Sequence, residues 1–345
     1  MKKNKPTIIP RDQHNISRDD ISPEALKVLY RLSKFDYIAY LCGGGVRDLI
    51  LKRQPKDFDL VTDATPNQIK RVFKNCRLIG RRFRLAHILF QGEVIEVATF
   101  RSNDLDADES APDLSPGREH MVTGDDGVIL RDNLFGTPEE DANRRDFTIN
   151  ALFYDIKTFS IIDYVGGLKD IERRVIRLIG DPVTRYIEDP VRMIRAVRFA
   201  VTMDFKIERK TLKAIHSCKQ HIQKASHARM YEEVQKLLLK GHGEKVFDML
   251  RETGLFEMIF PTLSEWIQHH GDTELNRIRT GLRLIDKNIE QGKQVSPALL
   301  FCMLLGEYIE SHAVKIMVHE NARPTPSAQS SRALIASASS SPTTN

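Results

Sequence analysis

Two aspartates separated by one residue are the first group in the sequence that could do chemistry. They lie in the segment Lys56-Asp57-Phe58-Asp59. Because side chains alternate along an extended chain, Asp57 and Asp59 are predicted to share one face. Carboxylates, phosphate oxygens and water are the ligands that Mg²⁺ prefers, and two ions about 3.5–4 Å apart activate a hydroxyl and stabilise a leaving pyrophosphate. The pair therefore predicts a two-magnesium site, whereas an isolated Asp-x-Asp more often marks a solvated strand end.

Three consecutive glycines precede this pair. Gly43, Gly44 and Gly45 follow a strand-like segment, residues 37–41, and a helix-like segment begins at Val46. Backbone N–H groups at the start of a helix have no partner within the helix, and they suit a phosphate group. The order of strand, glycine loop, helix and Asp-x-Asp predicts a triphosphate site, although a glycine triplet alone predicts only a turn.

A third acidic residue is expected beside the pair, and the sequence offers three candidates. Asp146 follows Arg144 and Arg145 on a helix predicted at residues 139–152, and without the Asp-x-Asp pair we would interpret it as part of a surface ion pair. Glu96 lies on a predicted strand whose apolar residues point to the opposite face, so it can face the same cleft. Asp163 is equally compatible with capping the end of a strand.

A predicted helix carries an arginine at every third position. Arg192, Arg195 and Arg198 follow Asp189, which is predicted to be the helix cap, with a proline in the first turn. The carboxylate of Asp189 accepts hydrogen bonds and the guanidinium group of Arg192, three residues later, donates them. Together they can bind the Watson–Crick edge of a base without a template. Periodicity alone favours the alternative, an amphipathic helix with a solvated basic face and an ion pair from Glu188 to Arg192.

A basic segment, residues 76–87, is the third candidate. It contains no acid, one phenylalanine and four arginines, Arg77, Arg81, Arg82 and Arg84. A basic segment with an aromatic residue suits an RNA backbone or a triphosphate. The alternative is a solvated basic loop.

The elements that must position these residues divide the chain into two parts. Strand-like and helix-like segments alternate over the first 180 residues, with a hairpin signal at Gln91-Gly92, and predict an α/β or α+β head. Within it, residues 103–127 are rich in Asp, Pro and Gly and predict a long mobile loop. Beyond residue 181 the apolar spacing predicts helices. The last segment, residues 321–345, has seven serines and no acid and is predicted to be disordered.

Composition sets limits on the class of protein. The chain has 345 residues, a formal net charge of +5 and 41% hydrophobic residues, which predicts about two globular domains and permits a polyanionic partner. The longest apolar run has eight residues, against about 20 for a membrane span. The four cysteines lie far apart without a C-x-x-C pair, which argues against disulfides and predicts a reducing, cytoplasmic location.

Four collinear motifs together resemble the class II nucleotidyltransferase family, which contains the tRNA CCA-adding enzymes and the bacterial poly(A) polymerases. They are GGGVRD at residues 43–48, KDFD at 56–59, RRDFTINAL at 144–152 and EDPVRMIRAVRF at 188–199. The resemblance extends from about residue 14 to about residue 307. Residues 14–18 and 78–87 resemble the bacterial poly(A) polymerase branch more than the CCA-adding branch.

The resemblance implies a mixed-sheet head and helical neck and body regions. The implied division is an N-terminal extension (1–20), a catalytic head (21–180), a base-recognising neck (181–240), an RNA-binding body (241–320) and a disordered tail (321–345). The implied reaction is a metal-dependent transfer of AMP from ATP to an RNA 3′ hydroxyl with release of pyrophosphate, so the implied partners are ATP, Mg²⁺ and RNA 3′ ends.

The resemblance also implies a role for each matching residue. Asp57 and Asp59 hold magnesium and are catalytic, as is Asp146. The nucleotide-binding residues are Gly44, Gly45 and Arg47 at the triphosphate and Asp189, Arg192 and Arg195 on the arginine helix.

Two other functions share part of this pattern. A CCA-adding enzyme has the same head, so the Asp-x-Asp pair does not distinguish it. A non-catalytic RNA-binding relative is the second alternative, because the likeness fades near Gly306 and a Ser/Ala/Thr-rich segment stands where relatives usually continue with a basic end. We therefore expect reduced RNA affinity and processivity, with the chemistry of the head retained.

Overall fold

The fold is described from a computed structural model of the chain. It describes residues 5–80, 84–102, 119–123, 129–133 and 135–322. Most of the predicted loop at 103–127 therefore lies outside the described residues.

Two further sequence predictions lie partly outside this range. In the basic segment, residues 81–83 are outside it, while Arg77 and Arg84 are described and exposed. In the predicted tail, only residues 321 and 322 are described, and they belong to a helix.

Twelve strands occur in the described part of the chain. In chain order they are β1 (Thr7–Ile9), β2 (Ala39–Cys42), β3 (Leu60–Thr62), β4 (Cys76–Ile79), β5 (Leu85–Leu89), β6 (Val94–Thr99), β7 (Glu119–Thr123), β8 (Ile129–Asn133), β9 (Leu152–Asp155), β10 (Ser160–Asp163), β11 (Val175–Ile176) and β12 (Lys206–Ile207).

Eight of these strands form one mixed sheet in the order β1-β10-β9-β2-β3-β6-β5-β4. β3 and β6 are parallel, with Leu60 opposite Val97, and the other neighbours in the sheet are antiparallel. β1 thus adds an edge strand to the head from within the predicted N-terminal extension. β7 pairs with β8 and β11 with β12 in two small sheets.

Thirteen α-helices surround and follow the sheet in the described residues. They are α1 (Pro23–Lys34), α2 (Gly44–Ile50), α3 (Pro66–Val72), α4 (Pro138–Arg144), α5 (Gly167–Arg173), α6 (Pro182–Glu188), α7 (Val191–Met203), α8 (Arg209–Cys218), α9 (His227–Leu238), α10 (Gly243–Glu252), α11 (Phe256–Ile259), α12 (Pro261–Glu290) and α13 (Pro297–Ala322). A mixed-sheet head followed by helices confirms the predicted fold class.

Local sequence signals explain several of these elements. Thr65 and Gln68 form a capping box at the start of α3, in which Oε1 of Gln68 accepts from the N–H of Thr65 at 2.8 Å, and Pro66 lies in the first turn. The Gln91-Gly92 turn joins β5 to β6, and Gly92 has a φ of 91°, a conformation that favours glycine.

Two predicted elements are wrong. The segment 139–152 is predicted as one helix, but α4 ends at Arg144 because Arg145 adopts an extended conformation (φ −61°, ψ 166°). A 3₁₀ turn, Thr148–Asn150, follows. The segment 103–127 is predicted as a loop, but its residues 119–123 pair with β8.

The main hydrophobic core is continuous from the sheet into the helices that follow it. α1 packs on β2, β3 and β6, and the central helix of the second half, α7, contacts both α9 and α10. Ile194 and Val197 of α7 are fully buried. The core therefore holds α7 at a fixed position beside the head.

Two observations bear on the predicted environment of the protein. The four cysteines are free, and of these only Cys302 is exposed. Within the described ranges, no helix has both the length and the apolar character required to cross a bilayer. The predicted cytoplasmic location stays a prediction.

Candidate active site

Three carboxylates converge on one cleft at the edge of β3 and β6. Asp57 and Asp59 immediately precede β3 and are exposed, whereas Phe58 between them is only 7% exposed. The predicted alternation is therefore confirmed, although the strand itself begins one residue after Asp59. Glu96 on β6 is also exposed, and the three acids line a cleft of about 570 Å³ together with Lys56.

The surroundings of Asp59 disfavour the ionised form of its carboxyl. Although its surface is accessible to solvent, the surrounding atoms partly desolvate Asp59 and raise the pKa of its carboxyl, and repulsion from Glu96 and Asp57 raises the pKa further. Arg145 opposes this shift. A divalent cation would relieve the repulsion, so the residues present fit a metal site.

The described residues provide part of a magnesium coordination sphere. Nowhere in them do three or more His, Cys, Asp or Glu side chains form a ready-made metal cluster. Glu96 lies 3.3 Å from His87, measured from Oε1 to Nε2. Two exposed aspartates, with phosphate oxygens and water completing each octahedron, match the way Mg²⁺ is usually held.

The glycine loop lies directly beside the aspartates. A Cβ atom added at Gly45 would lie 3.5 Å from the carbonyl oxygen of Asp57. In α2 the N–H of Arg47 is bonded to the carbonyl of Gly43 at 3.2 Å, so the N–H groups of the preceding residues have no partner within the helix. Gly44 is partly exposed and Gly45 is buried.

The backbone conformation of Gly43 predicts that this position requires glycine. Its φ of +70° and ψ of −132° disfavour residues with a side chain, and an added Cβ would lie 3.1 Å from Nη1 of Arg145. We expect Gly43→Ala to lower the free energy of unfolding by about 1–3 kcal/mol, measured by urea denaturation. Gly44→Ala is the control, because its Cβ makes only ordinary contacts with Arg47; equal losses in both variants would contradict the expectation.

Arg47 is buried and already engaged by neighbouring side chains. It is 7% exposed, and its Nε donates to Asp48 at 2.9 Å while its Nη1 donates to Oδ1 of Asn150 at 2.6 Å. These bonds connect α2 to the 3₁₀ turn that contains Asn150. The predicted contact of Arg47 with a triphosphate stays a prediction.

Asp146 lies in a bend between α4 and the 3₁₀ turn, so the prediction that it lies on a helix is wrong. Its carboxylate accepts bonds from Nε and Nη2 of Arg195 at 2.9 and 2.5 Å, from the N–H of Phe147 at 2.8 Å and from Nδ2 of Asn150 at 3.3 Å. Burial opposes its ionisation, but the attraction of Arg195 and these bonds outweigh burial and lower the pKa of Asp146 to about 2.

Arg195 continues this network into α9. Its Nη1 lies 3.8 Å from Oε1 of Glu233, and Nε of Arg198 lies 3.5 Å from Oε2 of the same carboxylate. The guanidinium carbons of Arg47, Arg195 and Arg198 lie 5.5, 5.3 and 4.6 Å from the ring centre of Phe199. The three guanidinium groups therefore surround one aromatic ring, and each also lies within 4 Å of a carboxylate, that of Asp48, Asp146 or Glu233.

The predicted base-selecting pair is held by other residues. Asp189 ends α6, and its side chain does not cap α7 as predicted; it accepts a bidentate pair of bonds from Arg229, both at 3.0 Å. Arg192 donates from Nη1 to Oε2 of Glu188 at 3.1 Å and to the carbonyl of Arg185 at 2.8 Å. The ion pair of the alternative interpretation, Glu188 with Arg192, is therefore present.

Three residues of this network were not singled out in the sequence. Asn150 connects Arg47 to Asp146, while Arg229 and Glu233 reach from α9 to α6 and α7. The i, i+4 spacing of Arg229 and Glu233 is typical of a pair within one helix, so the sequence contained no signal that their partners lie elsewhere.

Family models match two segments of the chain. Residues 39–177 match the Poly A polymerase head domain, and residues 204–267 match the probable RNA and SrmB-binding site of polymerase A. The chain belongs to the poly(A) polymerase family of nucleotidyltransferases.

Two individual proteins of this family are similar to the chain over most of its length. Poly(A) polymerase I of Salmonella typhi is 49% identical over 311 residues, which are 90% of this chain and 65% of that protein. The CCA-adding enzyme of Lactobacillus helveticus is 36% identical over 238 residues, which are 69% of this chain and 55% of that enzyme. The chain thus spans slightly less than two thirds of the first relative's length.

A solved structure shares the fold of this poly(A) polymerase family member. The CCA-adding enzyme of Bacillus stearothermophilus, in complex with CTP, is 28% identical and superimposes with a TM-score of 0.59. The match covers 89% of this chain and 73% of that enzyme.

Proposed function

We propose that this protein is a template-independent polymerase that transfers AMP from ATP to the 3′ end of RNA. The observation that carries the proposal is the cluster of Asp57, Asp59 and Glu96 at one cleft in a chain of the poly(A) polymerase family. Its position beside the glycine loop of α2 supports the proposal, because a nucleotide triphosphate bound there would lie next to the acids.

Asp57 and Asp59 are the residues that would hold Mg²⁺. When bound, two ions supply the positive charge that activates the RNA 3′ hydroxyl and stabilises pyrophosphate. In the reaction the 3′ hydroxyl loses its proton to solvent, its oxygen forms a bond to the α-phosphorus of ATP, the bond between the α-phosphorus and the bridging oxygen breaks, and pyrophosphate leaves with that electron pair.

The other residues act by binding and orientation. Gly44 and Gly45 would offer backbone N–H groups to the triphosphate. Asp189 and Arg192 would bind the base by accepting and donating hydrogen bonds, respectively. Asp146 would act through its ion pair with Arg195, which fixes the charge facing the nucleotide.

The test of this proposal is incorporation with single nucleotides. We expect the full chain, with Mg²⁺ and an unstructured RNA, to extend the RNA with ATP and to do so much more slowly with CTP, GTP or UTP. Denaturing electrophoresis would show an open-ended ladder. No extension with any nucleotide, or equal extension by the wild type and the Asp57→Asn variant, would contradict the proposal.

CCA addition is the second candidate, because CCA-adding enzymes are relatives with the same fold. A tRNA that lacks its 3′ CCA, supplied with CTP and ATP, distinguishes the two. Ordered addition of three nucleotides that then stops favours CCA addition, whereas a tract of A residues of variable length favours the polymerase.

A further inference from the structure

The contact between α9 and the end of α6 joins the proposed base-binding site to a residue with no assigned role. Arg229 lies in the first turn of α9, where its N–H donates to the Ser226 hydroxyl that caps the helix. Its Nη1 and Nη2 donate to Oδ1 and Oδ2 of Asp189, each at 3.0 Å. The guanidinium group of Arg229 and the carboxylate of Asp189 therefore form two parallel hydrogen bonds.

This geometry restricts how Asp189 can bind a base. A free Asp carboxylate rotates about its last torsion, which has a broad energy minimum. A bidentate arginine fixes the carboxylate plane, and both oxygens of Asp189 act as acceptors in this contact. Two of its roughly four lone pairs are used by Arg229, and the others can accept an N–H from a base.

An acceptor held in one plane discriminates between bases. Adenine and cytosine present an exocyclic amino group beside a ring nitrogen, whereas uracil and guanine present a carbonyl oxygen at that position. A fixed carboxylate pairs with an amino group and repels a carbonyl, while Arg192 offers the neighbouring donor. A carboxylate that can rotate loses part of this discrimination.

The burial of the partners supports a positioning role rather than a general role in stability. The side chains of Arg229 and Asp189 are 49% and 21% exposed, so the pair is at the surface of the nucleotide site, and surface ion pairs contribute little to folding. Arg192, by contrast, is 9% exposed and is held by Glu188. The orientation of Asp189 thus depends on α9, and that of Arg192 on α6.

We propose that Arg229 is a specificity-determining positioning residue, which orients Asp189 for the base of the incoming nucleotide. The proposal rests on the proposed function, because it assumes that Asp189 meets the base. It places part of base selection in α9, outside the motif that carries Asp189 and Arg192.

The experiment compares Arg229→Gln, Arg229→Lys and a matched control. Arg283→Gln is the control, because Arg283 also forms a bidentate pair with a carboxylate, Glu244, and is 65% exposed. For each variant, KM and kcat are measured with each of the four nucleotides, and equilibrium binding of each nucleotide is measured with Ca²⁺ in place of Mg²⁺.

We expect Arg229→Gln to raise the KM for ATP about tenfold and to lower the ATP/UTP selectivity about tenfold or more, because a carboxylate of Asp189 that can rotate loses much of its charge-assisted hydrogen bond to the amino group of the base. The kcat for ATP should change less than about threefold, because the variant leaves the aspartate pair intact. Arg229→Lys restores charge but not the planar bidentate contact, so it should restore ATP affinity in part and selectivity little. Arg283→Gln should behave as the wild type does.

A double-variant cycle shows whether Arg229 acts through Asp189. If it does, adding Arg229→Gln to Asp189→Asn should cause no further loss of selectivity. Additive losses, or an unchanged selectivity in Arg229→Gln, would overturn the inference.

The two proposals fail in different ways. If the wild type binds ATP selectively but incorporates nothing, the proposed function fails, and the binding selectivity still tests Arg229. If the wild type incorporates ATP selectively and Arg229→Gln keeps that selectivity in both assays, only the role of Arg229 fails.

Discussion

Replacing Asp57 or Asp59 by asparagine should lower the kcat for AMP incorporation at least about a thousandfold. An amide oxygen binds Mg²⁺ more weakly than a carboxylate, and metal ions contribute several kcal/mol to the stabilisation of charge in the transition state. Because about 1.4 kcal/mol corresponds to a factor of ten in rate, losing most of that contribution gives the expected decrease. The measurement is single-turnover extension of RNA with ATP at saturating Mg²⁺.

The same substitutions should leave the fold intact. Asp57 and Asp59 are exposed, and repulsion within the cluster raises the pKa of Asp59, so removing one charge leaves the thermal midpoint unchanged or raises it. Asp36→Asn is the control, because Asp36 is exposed and has a φ of 62° that asparagine also tolerates. A variant at Asp57 that stays active within tenfold would show that this residue does not hold the metal.

Replacing Asp146 by asparagine should lower the free energy of unfolding by about 3–5 kcal/mol at pH 7. Its carboxylate forms a buried ion pair with Arg195, with side chains 13% and 28% exposed, and removing this charge leaves Arg195 with only the more distant carboxylate of Glu233, 3.8 Å away. Urea denaturation of the wild type and the variant measures the loss.

The loss of stability caused by Asp146→Asn should become smaller as the pH falls. The pKa of Asp146 in the folded protein is about 2, below its ordinary value of 3.8, so ionisation of Asp146 stabilises the fold above about pH 4. The difference of 3.8 − 2 = 1.8 pKa units corresponds to about 2 kcal/mol. This contribution is lost as the pH falls from about 4 towards 2.

The gap in stability between the wild type and Asp146→Asn should therefore narrow by about 2 kcal/mol over that pH range. The Asp36→Asn variant, at an exposed aspartate, is measured in parallel so that general effects of pH on the protein can be subtracted. A gap that stays constant between pH 7 and pH 2.5 would show that Asp146 is not ionised with Arg195 in the folded state.

The sequence predicted the parts of the site that depend on short-range patterns. Asp57 and Asp59 share a face because alternation along an extended chain is a local property, and Phe58 between them is buried as expected. The capping box of α3 and the turn at Gln91-Gly92 are likewise determined by neighbouring residues. Glu96 was predicted to face the cleft from the apolar residues on either side of it.

The predictions that were wrong concern residues whose partners lie far away in the sequence. Asp189 was predicted to cap α7, but a guanidinium 40 residues later competes for its carboxylate. Asp146 was predicted on a helix, but the segment bends where its carboxylate accepts the N–H of Phe147 and reaches Arg195. No local pattern around either aspartate indicates these partners.

The parallel pairing of β3 with β6 also limits where insertions and deletions can be tolerated. Leu60 is opposite Val97, so the position of Glu96 beside Asp59 depends on an unbroken count of residues in both strands. One residue inserted just before Glu96 would turn Glu96 into the core and expose Val97 instead. An insertion at the turn between β5 and β6 would leave the alternation of β6 unchanged, so in proteins with this sheet we expect length changes in the turns and not in these two strands.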